Sequence, residues 1–334
     1  MDFLSKNRYI ALPPFQKPKV FLAVDTPSIA KNSLKLYRVY SKKALILKGL
    51  VSFLAKYKLI NLFAKPADQS DFAAFLEKNS PFLKAYDDLI LSKYMATDQD
   101  KIILQIQSGF QVKGYVKYAL NDKGADKISR EIEGTAKMKS LGIKTLTITE
   151  EGSYKDLPYF ISEEVEEIQA SDFSLPDFPF ERLCQDASYK LAEHPRILSL
   201  RKYFEEKGQE QHLKLLDQLA ASSTQAYRLA YEHGDFSPWN LFINKSEVWL
   251  FDLEFYEEEG IELFDKIAYH FRYATHLKGM DGNELATYII DQLGIEASEG
   301  LILFKVFLLK ELVEKDVFGR EHLVDISELF KIEF

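Results

Sequence analysis

Cysteine is almost missing from this 334-residue sequence: Cys184 stands alone. No intramolecular disulfide can form, and no CxxC or Cys/His cluster is present to hold a structural zinc, so a reducing, cytoplasmic setting is expected. Long apolar runs are missing too. The most apolar stretch, 44–63, is interrupted by Lys48, Lys56 and Lys58, short of the roughly 20 apolar residues that span a bilayer, and no transmembrane segment is expected. The amino-terminal MDFLSKNRYIALPPFQ lacks the apolar core and small-residue cleavage site of a secretion signal and is expected to be retained. Positive charge is in deficit, with a formal net charge of −8, which argues against a nucleic-acid partner. HExxH and GxSxG are absent, and the six histidines show no metal-site spacing. Gly109 and Gly114 have Walker-A spacing, but Tyr115-Val116 follows where Lys-Ser/Thr is required. Metalloprotease, α/β-hydrolase and P-loop readings therefore fall away.

What is present suits two lobes. The chain is longer than a single core usually serves, and 46% of its residues are hydrophobic, enough to offset the entropy of ordering it. From Ser41 to Ala64, Lys48, Ser52 and Lys56 recur every fourth position, the mark of an amphipathic helix. Lysines beside a Leu/Phe face suit an anionic membrane surface. The ordinary reading, a helix packed on the protein with its lysines outward, is preferred, so peripheral membrane contact is not favoured. Between 89 and 120, LILSKYM, KIILQIQ and VKGYVKYAL read as strands, the last two forming a hairpin at Gly109. A helix follows to a C-cap at Gly142, then the strands TLTIT and YFISEEV, and SDFSLPDFPF reads as a linker. The rest reads as helical over 181–200, 209–231 and 262 to the end, with one hairpin, LFINKSEVWLFDLEF, turning at Asn244-Lys245-Ser246. The expected domains are an N-terminal extension, 1–87, an N-lobe, 88–166, and a helical C-lobe, 167–334.

The sharpest feature is His233-Gly234-Asp235-Phe236-Ser237-Pro238-Trp239-Asn240, followed by Asp252-Leu253-Glu254 at the end of an apolar strand. Gly, Asp, Ser, Pro and Asn are turn formers in their own right, but the whole arrangement matches what phosphoryl transfer needs. That reaction requires a carboxylate to orient or deprotonate the attacking hydroxyl, and oxygen ligands for Mg²⁺ on the nucleotide phosphates. Asp235 would be the catalytic carboxylate, and Asn240 and Asp252 the metal ligands.

On these motifs the sequence resembles the aminoglycoside phosphotransferase and choline kinase superfamily, and its HGDFSPWN wording resembles a bacterial subgroup. The resemblance implies an α+β, bilobal protein-kinase-like fold: a small antiparallel-sheet N-lobe and a mainly helical C-lobe, here behind the N-terminal extension. It implies ATP or GTP with Mg²⁺ as cofactors and a small-molecule hydroxyl acceptor as partner. His233 and Asp265 join Asp235 in the catalytic group, Asp265 bracing the loop through backbone N–H bonds, and Glu254 is a candidate for a second metal. Lys117, in YVKYAL, would hold the nucleotide phosphates, paired with Glu131 or alternatively Glu133. Adenine would bond to the backbone of Ser162, Glu163, Glu164 and Val165 in the lobe cleft. The loop ATDQDK departs from the pattern in having no glycine, so Lys101 at its end is the candidate phosphate contact. The acceptor would lie near Asp235, Phe236 and Trp239. A sugar or glycan intermediate is the preferred acceptor, with two alternatives: an aminoglycoside drawn to the acidic run 257–259, or a non-catalytic nucleotide-binding scaffold.

Overall fold

The computed structural model describes residues 8–12, 20–36, 42–57, 59, 65–66, 71–95, 100–165, 169–170, 175, 177–244, 246–319 and 324–332. Two compact units emerge, one of Met1–Ser129 with Leu146–Val165 and the other of Arg130–Thr145 with Glu166–Phe334.

The first unit is built on one sheet. Its elements are β1 (Arg8–Leu12), β2 (Val20–Ala23), α1 (Pro27–Leu36), α2 (Lys42–Lys56), β3 (Lys65–Pro66), α3 (Asp71–Asn79), α4 (Pro81–Lys84), β4 (Ile90–Met95), β5 (Lys101–Ser108) and β6 (Gln111–Ala119). Helix α5 (Asp122–Ser140) and β7 (Lys144–Thr145) follow, then β8 (Ile148–Tyr154) and β9 (Leu157–Glu163). The sheet runs β3-β1-β2-β4-β5-β6-β9-β8. The described residues before 88 thus share a unit with the strands after them, β2 pairing antiparallel with β4. Gly109 makes the β5–β6 turn at φ +55. Phe72, Leu76, Leu83, Leu104, Ile106, Val116 and Ile161 form one apolar cluster of the unit. Helix α5, which crosses from the first unit to the second, starts where the Asn121 side chain accepts the Gly124 N–H at 2.9 Å. It ends at Gly142, φ +71, a left-handed cap that suits glycine.

The second unit continues with β10 (Gln169–Ala170), β11 (Cys184–Lys190), α6 (Pro195–Glu206), α7 (Glu210–Ser222), β12 (Ala226–Glu232), β13 (Leu241–Asn244), β14 (Glu247–Leu250), β15 (Glu257–Ile261), α8 (Phe264–Arg272), α9 (Gly282–Leu293), α10 (Ala297–Phe318) and α11 (Ile326–Leu329). Small sheets β10-β13-β14-β7 and β11-β12-β15 flank its helical core. Two helix expectations are corrected here. Residues 184–190 and 226–232 are strands, and so is the acidic run at 257. A continuous helix over 181–200 is barred by Pro195, which can open α6 but cannot sit inside a helix. Strand β12 hid from its pattern because its burial does not alternate strictly: Arg228 and Leu229 are both half-buried between buried Tyr227 and Ala230.

Candidate active site

The candidate loop lies wholly in the second unit, between β12 and β13, and its backbone and side chains are held at successive points. Gly234 takes φ +78, and a Cβ there would come within 2.0 Å of the Phe255 carbonyl oxygen, so only glycine fits. The Asp265 carboxylate, in the first turn of α8, accepts the N–H of His233 at 2.7 Å and of Gly234 at 3.2 Å. Burial and the neighbouring Glu232 carboxylate push the Asp265 pKa up to about 7, against the opposing pull of those two donors and Lys310.

His233 is fully buried. The Asp235 N–H donates to its Nδ1 at 3.3 Å, which leaves Nε2 as the protonated nitrogen donating to the Phe251 carbonyl at 2.9 Å. Burial lowers its pKa and keeps the ring neutral, as that bonding requires. The imidazole therefore ties the loop to the residue before Asp252; it positions the loop and does not face solvent. Phe236 is fully buried too, its ring 5.0 Å from that of Phe178. Its side chain is a core anchor of the loop. Trp239 is half-buried with its ring 5.1 Å from the His276 ring.

The Asn240 side-chain nitrogen donates to both the main-chain oxygen and Oδ2 of Asp235, each at 3.0 Å. With the nitrogen so committed, the amide oxygen is the atom it can turn to a cation. The Phe251 N–H donates to the Asn240 carbonyl at 3.1 Å, which brings Asn240 to the start of the Asp252 turn. Asp252 itself sits at φ +63, a left-handed conformation that costs a non-glycine residue on the order of 1 kcal/mol and tends to mark functional turns. Glu254 is half-buried two residues on. Among the described residues no group of three or more His, Cys, Asp or Glu could hold a metal by itself. Mg²⁺ does not need one, since one or two carboxylates plus nucleotide phosphates are its usual protein-side complement. The oxygen donors of Asn240 and Asp252 fit such an ion.

Sequence reasoning missed the charged side chains behind the loop. Arg272, at the end of α8, places Nε 3.6 Å from Asp235 Oδ1 and donates from Nη2 to Glu311 at 2.6 Å. Lys310 is ion-paired with Glu232 at 3.1 Å and Glu314 at 2.9 Å, and neighbouring carboxylates hold its pKa well above the usual range. Glu232, the residue before His233, also accepts the Ile261 N–H at 2.8 Å. Glu232, Asp265, Arg272, Lys310, Glu311 and Glu314 are all at most 5% exposed. The signal was in the sequence LILFKVFLLKELVEKD, where Lys305, Lys310, Glu311 and Glu314 interrupt an otherwise apolar helix and are buried.

The acidic run 257–259 offers less free charge than its composition suggests. Glu257 pairs with Arg130 at 2.6 Å and lies 3.9 Å from Arg196, and Glu258 accepts the Tyr256 hydroxyl at 3.1 Å.

The expected nucleotide residues are placed as follows. Lys117 lies on β6 opposite Ile103 and Phe160. Lys101 opens β5 and is buried, while residues 96–99 of the glycine-free loop lie outside the described residues. Glu131 is buried on α5 and Glu133 is exposed. Ser162 is buried in β9. The N–H groups of Glu163 and Glu164 donate to Thr147 and Lys113 carbonyls at 3.0 and 3.2 Å, and the Glu164 carboxylate pairs with Lys35. Those two backbone donors are therefore taken, while Val165 follows outside the strand.

The fold has known counterparts. A thermostable mutant of aminoglycoside phosphotransferase APH(4)-Ia matches with a TM-score of 0.50 and 14% identity, over 74% of this chain and 92% of that one. This chain has the protein-kinase-like fold. The GDP and kanamycin complex of APH(2″)-IIIa aligns at a TM-score of 0.48 and 12% identity, over 78% of this chain and 96% of that one. A candidate fructosamine-3-kinase from Haemophilus somnus 129PT gives 0.48 and 14%, over 78% and 94%. No protein-family model matches the chain, and no curated protein matches it in sequence.

Proposed function

We propose that this protein is a phosphotransferase that moves the terminal phosphoryl group of ATP or GTP to a hydroxyl of a small molecule, with a sugar or glycan intermediate as the preferred acceptor. The observation that carries the reading is the loop anchored through His233 and Gly234 to Asp265, which presents Asp235 beside Asn240 and the left-handed Asp252. Asp235 accepts the hydroxyl proton of the acceptor. Arg272, fixed by Glu311, and the Asn240 amide restrain its two carboxylate oxygens, so the carboxylate meets the nucleophile already oriented. Lys117 supplies the phosphate-side cation, Lys101 adds a second one, and the backbone around Ser162–Val165 receives the base. When bound, Mg²⁺ neutralises charge on the nucleotide phosphates, held through Asn240 and Asp252, with Glu254 in reserve.

The test is ligand-dependent thermal stabilisation. Mg²⁺-nucleotide should raise the melting temperature by mass action, and Asp252→Ala should lose the magnesium-dependent part of that shift while melting as wild type without ligand. Wild-type magnesium dependence in the variant would remove the metal assignment. A second screen, with candidate sugars and aminoglycosides beside nucleotide, separates the acceptor classes. A protein that binds nucleotide but transfers phosphate to no acceptor or to water would be a scaffold.

A further inference from the structure

Helix α2 is apolar on two faces. Its inner face places Val51 and Ala55 in the buried cluster of Ile10, Leu12, Val20, Leu22 and Leu34, with Leu47 and Leu54 packed against it. That is the contact a surface helix needs, and it is complete. A second apolar stripe faces solvent: Ile46 is 73% exposed, Leu50 53%, Phe53 56% and Tyr57 56%. These positions follow one another at four, three and four residues, a single line along a helix. Ser52 and Lys56 are exposed as a packed helix requires, but Lys48 is half-buried, so the lysine stripe is not the whole of the outward face.

The charge of the sequence that carries this stripe is one-sided. From residue 26 to residue 67 the sequence contains nine lysines and arginines and no aspartate or glutamate, in a chain whose net charge is −8. The positive charge needed to offset an anionic surface is thus concentrated in the stretch of sequence that contains the helix exposing these apolar residues. Large apolar residues in a line, in a segment of one charge sign, are the composition of a helix that lies in a membrane interface. No helix among the described residues is long and apolar enough to cross a membrane.

We infer that α2 docks this protein on an anionic lipid surface, with Ile46, Leu50, Phe53 and Tyr57 entering the acyl boundary and the surrounding lysines meeting the headgroups. This is independent of the phosphotransferase reading and would stand if that reading failed.

The experiment is co-sedimentation of the full chain with vesicles of phosphatidylcholine alone and of phosphatidylcholine mixed with phosphatidylglycerol. Binding to the anionic vesicles should be at least about tenfold tighter than to the neutral ones and should weaken as salt is raised. I46Q/L50Q/F53Q should lose at least about tenfold in binding. K42E/K43E/K56E, which leaves the apolar stripe intact, should lose at least about 100-fold, at about fivefold per lysine. Circular dichroism melts of both variants show whether they fold, and the charge variant keeps the test decisive if the glutamine variant does not. No binding to either vesicle, or undiminished binding in both variants, would overturn the proposal. So would a concentration-dependent dimer in light scattering, abolished by I46Q/L50Q/F53Q without any vesicle binding, which would assign the stripe to a second copy of the chain.

Discussion

Behind the loop at His233 six charged side chains are buried, whereas along α2 four large apolar side chains face water. Both regions invert the usual partition of a globular protein, and the inversions differ in kind. The buried charges are matched to one another: Lys310 with Glu232 and Glu314, Arg272 with Glu311 and Asp235. Replacing such a cluster by apolar residues of equal volume is often neutral or stabilising. Its use here is to fix a loop from several directions. The exposed stripe of α2 has no such internal matching, and its complement lies outside the chain. One departure serves internal geometry, the other an external surface.

The largest expected effect comes from breaking the first region. Lys310→Met keeps the side-chain length but removes the cation shared by Glu232 and Glu314, leaving Glu314 with Arg196 at 3.9 Å, and should cost about 3–5 kcal/mol in urea unfolding. I46Q/L50Q/F53Q, three changes on α2 instead of one on α10, should shift stability by no more than about 1 kcal/mol, because the inner face of that helix is untouched. Comparable losses in the two variants would erase the distinction drawn here.

A smaller effect follows from acid. Burial lowers the pKa of His194 and of His270 from 6.5 to about 4. Between those values the unfolded imidazole binds a proton that the folded one does not, so stability must fall as pH drops through that window. At pH 5 each histidine should cost on the order of 2 kcal/mol relative to pH 7. Both residues are in the second unit, and His270→Gln should remove about half of their joint loss. An unchanged pH dependence in that variant would show that His270 titrates normally in the folded protein.

Much of the candidate site was legible in the sequence because its residues are close along the chain. The loop 233–240 and Asp252 form one local unit, and the hairpin between them follows from two apolar runs and a turn. The β5–β6 hairpin and the Gly142 cap were readable for the same reason. Arg272 and Glu311 were not, because their contacts join residues 37 and 39 positions apart along the chain. Strands β11 and β12 are not legible as strands, since β11 (CQDASYK) has almost no apolar residues to alternate and in β12 Arg228 and Leu229 are both half-buried, which breaks the two-residue period. On α2 the polar recurrence of Lys48, Ser52 and Lys56 was visible, but which apolar face turns outward depends on where Val51 and Ala55 find their cluster, and only the fold decides that.

The central claim is that the bracing around Asp235 serves phosphoryl transfer, and Asp235→Asn tests it most directly. The substitution keeps the shape and removes the charge that faces the nucleophile. Nucleotide titration and single-turnover transfer would be measured in parallel on wild type and variant, using the acceptor selected by the ligand screen. Nucleotide affinity should stay within a few-fold, because the nucleotide does not feel the positioning of the acceptor, while transfer should fall by about two to four orders of magnitude. Equal turnover in the two proteins would contradict the assignment of Asp235 as the catalytic carboxylate.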